Sequence, residues 1–279
     1  MTRRDIQTLN LSQVGDLIGW AKAEGWNPGL DDAAPFIAAD PKGFFGCFVD
    51  GRMAAGISAI RYNDRFAFIG LYICHPDFRG QGHGRALWDH ALTSLGTRTV
   101  GLDGVPAQQE NYARMGFVPA YRTIRWSGRV PALTPPSSDL VPVTPDLLPQ
   151  IAALDAQAFP SQRRGFLDAW LSPPRTALAI CVDGAVRGYG ALRRCHDGYK
   201  IGPLFAEDEE HAETLLTALA MRAGADEVHI DVPENQTVFS ARLQRLAFTE
   251  GFVTARMYKG TPPRHDRHLV YGVTTLELG

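Results

Sequence analysis

Two stretches of this chain, FFGCFVDGRMAAGISAIR from Phe44 and ALAICVDGAVRGYGALRR from Ala177, carry one pattern. Each sets two apolar runs about Val-Asp-Gly, and an Asp-Gly pair between such runs signals a β-hairpin. Each also places a glycine five residues before an arginine, Gly56 to Arg61 and Gly188 to Arg193. Further on, Met115-Gly116-Phe117 with Tyr121 and Arg125 matches Leu246-Ala247-Phe248 with Phe252 and Arg256 at identical spacing. An internal duplication, diverged but in register, divides the 279 residues into two units of one fold. Between them, GRVPALTPPSSDLVPVTPD holds Pro131, Pro135, Pro136, Pro142 and Pro145. That proline density marks a linker at 131–138, with domains expected at 1–130 and 139–279.

Local signals give the order of elements. Arg4 to Leu9 reads as a strand, and Ser12 is placed to cap a helix with Val14, Leu17, Ile18 and Ala21 at helical spacing. Asp31 or Asp32 is placed to cap a second, short helix ending at Asp40. Strands follow at Phe44–Val49, Met53–Tyr62 and Phe66–Ile73, then a helix, a strand at Thr99–Leu102 and a helix at Pro106–Met115. Phe117–Tyr121 and Thr123–Ser127 read as two closing strands. The second half repeats helix, helix and hairpin over Asp146–Ala158, Phe166–Leu171 and Ala177–Arg194.

Function is most legible after Pro76. There Gly80, Gly82 and Gly84 open an amphipathic segment with Ala86, Leu87, Ala91 and Leu92 on one side. A helix N-terminus carries exposed N–H groups and a partial positive charge, and glycines let a phosphate come close. Arg79 and Arg85 bracket this turn. A plain glycine connection between strand and helix is the alternative. Setting Pro76 against Pro203 puts Glu207, Glu209 and His211 opposite the three glycines. Carboxylates there favour the helix but repel a pyrophosphate. One half is expected to keep an anion site and the other to have replaced it.

A formal net charge of -2 argues against a nucleic-acid footprint. Cys47, Cys74, Cys181 and Cys195 form no CxxC pair and no metal-ligand spacing, so a cytoplasmic protein with reduced thiols and no metal is expected. No apolar run approaches the ~20 residues that span a bilayer, so a membrane partner is not expected. A homodimer is left open.

At HPDFRGQGHGRALWDHAL the chain resembles the GNAT superfamily of acyl-CoA N-acyltransferases, whose signature here reads Arg79-Gly80-Gln81-Gly82-His83-Gly84 with Arg85 following. The tandem arrangement, with GWNPGLDDA and YGVTTLELG, resembles a bacterial two-domain subfamily. The resemblance implies an α/β (α+β) protein of two tandem GNAT folds, each a mixed, mostly antiparallel sheet flanked by helices. It also implies acetyl-CoA as co-substrate and a small-molecule amine as acceptor. A regulatory acyl-CoA-binding module without turnover is the alternative.

By position, the resemblance gives the backbone of Ile73 and Cys74 to the pantetheine arm and thioester carbonyl, and the N–H groups from Arg79 through Arg85 to the pyrophosphate. Asn111 and Tyr112 stand where the family often has an asparagine and the tyrosine that protonates the leaving thiolate. The same register puts Arg242 and Leu243 in the second copy, and leucine donates no proton. Cys74 reads as a small strand residue, since the amine attacks the thioester directly. Many relatives carry a base on the fourth strand, yet Phe66–Ile73 has no carboxylate. His75, Glu24, Asp31 and Asp32 are the candidates left. Trp26, Asn27 and Asp31 fall where the acceptor binds, and an aromatic face suits a cationic amine.

Overall fold

The first half folds as β1 (Arg4–Thr8), α1 (Leu11–Ala23), α2 (Ala33–Ala39), β2 (Phe44–Val49), β3 (Arg52–Arg61), β4 (Phe66–Cys74), α3 (His83–Leu95), β5 (Thr99–Gly104), α4 (Pro106–Arg114) and β6 (Val118–Gly128). The second repeats that order as β7 (Leu140–Pro142), α5 (Leu148–Ala158), α6 (Arg164–Trp170), β8 (Thr176–Val182), β9 (Ala185–Arg194), β10 (Tyr199–Ala206), α7 (Glu209–Ala223), β11 (Val228–Pro233), α8 (Thr237–Arg245) and β12 (Thr249–Lys259), then adds β13 (Val270–Gly272). This computed structural model describes residues 4–130, 139–224 and 227–279, so the linker expected at 131–138 lies outside the described residues.

Both hairpins turn as their sequences demand. Asp50 and Gly51 have φ of 48° and 83°, and Asp183 and Gly184 have 49° and 77°. Two successive left-handed residues give the turn whose twist matches paired strands. Helix α1 buries the expected Val14, Leu17, Ile18 and Ala21, but its cap is Asn10 and not Ser12. Asn10 accepts from the Gln13 amide while Gln13 reaches back to Asn10, closing a reciprocal box that Ser12, already inside the helix, cannot make. Asp32 precedes α2 without capping it, because its carboxylate is used by Gly29 N–H at 2.8 Å and by Arg175 at 2.9 Å. The two closing strands expected at Phe117–Tyr121 and Thr123–Ser127 are one strand, β6. Arg122, which falls between the two expected ranges, lies within it and donates to Glu234 at 2.9 Å.

The described strands form one 13-stranded sheet in the order β1-β2-β3-β4-β5-β12-β6-β11-β10-β9-β8-β7, with β13 on β10. Among the described strands only β4–β5 and β10–β11 pair in parallel. The last strands of the two halves are exchanged: β12 lies against β5, and β6 against β11. Each exchanged strand carries an arginine to an aspartate of the other half. Arg125 on β6 grips Asp231 at 2.7 and 3.0 Å, and Arg256 on β12 grips Asp103 at 2.7 and 2.9 Å. All four side chains are buried, and two-point guanidinium–carboxylate geometry works against the cost of desolvation.

Candidate active site

Parallel pairing of β4 with β5 runs from Phe66↔Thr99 to Ile69↔Leu102 and stops. Beyond it β4 bulges. Leu71 adopts φ 46°, and the register against β3 slips between Gly56 and Ser58. A bulge leaves an extra residue and re-aims the strand, so β4 from Gly70 onward parts from β5 and opens a cleft. From the first half, Leu71, Tyr72, Asp103 and Tyr112 line it; from the second, Phe252, Thr254 and Glu277. The exchange of β12 therefore makes the cleft a joint product of both halves.

The glycine turn lies at the end of β4. Gly80 and Gly82 have φ of 75° and 80°, conformations a side chain resists, and a Cβ on either would point into open space. Gly84 packs closely instead, since a Cβ there would stand 3.0 Å from the Tyr72 hydroxyl. Gly82 caps α3 with no side-chain hydrogen bond and no acidic residue in the first turn. The N-terminus of α3 thus presents its dipole without an internal anion.

The side chains around the turn are engaged. Arg79 pairs with Glu24 and donates to the Cys74 carbonyl at 3.0 Å, Arg85 pairs with Asp89 at 3.0 Å, and Gln81 donates to the Asp77 carbonyl at 3.0 Å. His83 packs edge-on to Phe78. In this geometry the turn offers an anion its backbone, while both arginines have acidic partners. Ile73 and Cys74 lie opposite Gly56 and Ala55 of β3, on the part of β4 that β5 has left. Burial pushes the Cys74 thiol up from its ordinary value, as suits an unreactive strand residue.

Tyr112 stacks on Trp88 at 5.5 Å, meets Phe117 edge-on and packs over Gly104, where β5 ends. Burial pushes its phenol well above the ordinary value, with Tyr72 adding to the rise. Tyr72 is itself pushed up to about 12. A phenol that keeps its proton at neutral pH can give it to a thiolate. Asn111 is not among the cleft-lining residues: it donates to Gln108, which does line the cleft, and accepts from Arg114.

Of the acceptor residues expected from sequence, Trp26 lines the cleft. Asn27 instead clasps the second half, donating to the Asp197 carbonyl at 2.8 Å and accepting from its amide at 3.0 Å. Asp31 is exposed and its carbonyl accepts from Arg175 at 2.9 Å. Asp32 is locked between Arg175 and Arg193. His75 sits against Trp20 and Phe78, away from the cleft. The sequence missed Phe252, Thr254 and Glu277. The one local hint was Gly70: a glycine within an aromatic strand implies another backbone close by, and that backbone is Glu277's.

Among the described residues no group of three His, Cys, Asp or Glu side chains could hold a metal ion, and no helix is long and apolar enough to cross a membrane.

Residues 11–117 match the acetyltransferase (GNAT) family, and residues 151–272 match an acetyltransferase (GNAT) domain. A holothin acyltransferase of a Pseudoalteromonas species is 34% identical over 262 residues, spanning 93% of this chain and 89% of that protein. Two solved structures share the fold across nearly the whole chain. A putative acetyltransferase from Pyrococcus horikoshii superposes with a TM-score of 0.82 at 22% identity, covering 99% of this chain and 96% of its own. A GCN5-related N-acetyltransferase from Sphaerobacter thermophilus does so at 0.62 and 16%, covering 95% and 98%.

Proposed function

This chain is a GNAT acyltransferase with two GNAT domains in tandem, and from that premise we propose that it moves an acetyl group from acetyl-CoA to the primary amine of a small molecule by direct attack. The observation that carries the reading is the cleft between β4 and β5, lined by Tyr112, with the glycine turn and the N-terminus of α3, free of acidic residues in its first turn, following β4. In this reading the N–H groups from Arg79 through Arg85 bind the pyrophosphate. The backbone of Ile73 and Cys74 orients the pantetheine arm and polarises the thioester carbonyl. Tyr112 protonates the departing thiolate.

The acceptor reaches the thioester between Trp26 and Phe252, both of which line the cleft. Those walls suit an amine carried on a flat, apolar body, in keeping with a relative that acts on holothin. The test is release of free CoA from acetyl-, propionyl- and butyryl-CoA with holothin, benzylamine, tryptamine and spermidine. Acetyl-CoA with a flat amine is expected to react fastest. Tight acetyl-CoA binding with no turnover on any amine would overturn the reading.

A further inference from the structure

Two carboxylates stand in the cleft, neither of them on β4. Asp103 is committed, since both its oxygens hold Arg256. Glu277, on the tail that follows β13, forms no ion pair among the described residues, and the hydroxyl of Thr275 donates to its carboxylate. It is 5% exposed. Its backbone is fixed: the carbonyl accepts from Ser58 Oγ at 3.3 Å and lies so close over Gly70 that a Cβ there would collide with it. The tail thus carries a buried carboxylate to the stretch of β4 that has none.

We propose that Glu277 is the base of the transfer, and the proposal rests on the amine-acetylation reading above. An ammonium entering between Trp26 and Phe252, whose ring already carries the Arg125 guanidinium at 5.2 Å, passes two aromatic side chains and then meets a carboxylate free to take its proton. One proton passes from the ammonium to Glu277. The neutral nitrogen attacks the thioester carbon, the C–N bond forms and the C–S bond breaks. The thiolate takes the Tyr112 proton, Tyr112 regains one from the nitrogen, and Glu277 returns its own to solvent. The products are the amide and free CoA. Glu277 works in a field set by Asp103 from β5, Arg125 from β6, Arg193 and Cys195 from β9 and the turn after it, and Lys200 from β10.

The test uses the full chain, acetyl-CoA, and benzylamine, tryptamine and spermidine in turn. Glu277→Gln is isosteric and is expected to bind acetyl-CoA as the wild type does, while kcat/KM for the amine falls about 10²-fold at neutral pH. That loss is expected to shrink steadily as pH rises, because the variant can use only amine that is already deprotonated. Thr275→Val removes a hydrogen bond to the ionised carboxylate, so the acid limb of the pH profile should move to higher pH. A purely structural glutamate would move neither profile. Wild-type rates and profile in Glu277→Gln, or a loss that does not depend on pH, would overturn the proposal alone. A wild type silent toward all three amines and toward holothin would overturn it together with the reading it rests on.

Discussion

The two domains begin the same cleft and finish it differently. In the first, β4 and β5 part after Ile69 and Leu102, and the gap is open. In the second, β10 and β11 part after Ile201 and Ile230, and the chain's own β13 enters: Leu204 and Phe205 pair with Gly272 and Val270, and Val273 N–H donates to the Asp231 carbonyl at 2.9 Å. Gly70 and Gly202 mark the two partings. A Cβ on either would strike the tail, at Glu277 in one case and at Val273 and Thr274 in the other. The approach to the helix differs as well. His75 to Gly82 separate β4 from α3, whereas only Glu207 and Asp208 separate β10 from α7.

This corrects the alignment drawn from Pro76 and Pro203. It sets the helices within a residue of their true register, but Pro203 lies inside β10 while Pro76 follows β4. Glu207 and Glu209 therefore do not fill a phosphate loop; the loop is missing. Asp208 caps α7 by accepting from the His211 amide, and Glu209 and Glu210 occupy its first turn. A site closed by a shortened loop and an inserted strand cannot be restored by changing side chains. The tail that fills the second cleft also carries Glu277 into the first.

The strongest break would be two acyl-CoA molecules per chain. One is expected by calorimetry. Gly82→Glu should abolish that binding, because it forces a side chain into a left-handed position and sets a carboxylate where the pyrophosphate would lie. Glu209→Gly should leave it unchanged and create no second site.

The exchanged strands give the next effect. Asp231→Ala leaves Arg125 buried without its carboxylate and is expected to destabilise the chain by about 3–5 kcal/mol, read as a lower melting temperature and urea midpoint. Asp103→Ala should cost a similar amount. It should also raise KM for the amine, because Asp103 lines the cleft and Asp231 does not. Equal effects on KM would mean that the cleft is not the joint site described above.

Third is the pair Tyr112 and Leu243. Tyr112→Phe should lower kcat about 10²-fold with little change in acyl-CoA affinity. Leu243→Tyr should give no activity in the second half, because Leu243 is fully buried in the core beneath α8, and should only destabilise.

Which parts of this were readable in the residues follows from the range of the forces involved. The hairpins at Asp50 and Asp183 and the glycine turn are set by neighbours in the chain and were legible. The exchange of β6 and β12 was not. Alternation along a strand says which face is buried, never which strand lies beside it. Arg125 and Arg256 were visible as a repeat, but their partners lie in opposite halves. Glu277 was hidden for the same reason: its neighbour is Gly70, and no local pattern in TTLELG points there.

The smallest predicted effect separates the two buried pairs by charge alone, since their geometry is nearly the same. Burial pushes both carboxyls up. At Asp231 the charges of Arg125 and Lys200 overcome that and hold it down at about 2. At Asp103 Arg256 offsets only part of it, and the nearby carboxylates Asp231 and Glu277 add to the rise, so it stays above the ordinary value. On acidification Asp103 is expected to protonate first and Asp231 last, followed by carboxyl carbon shifts in aspartate-labelled protein. The signs for stability are opposite. Asp231, depressed on folding, contributes about 2 kcal/mol above its ordinary value, and that contribution disappears as pH falls through about 2. Asp103, raised on folding, costs stability once ionised, so its protonation relieves part of the loss. Asp231 protonating before Asp103 would show that Glu277 and Asp231 do not act on Asp103 as the buried cluster requires.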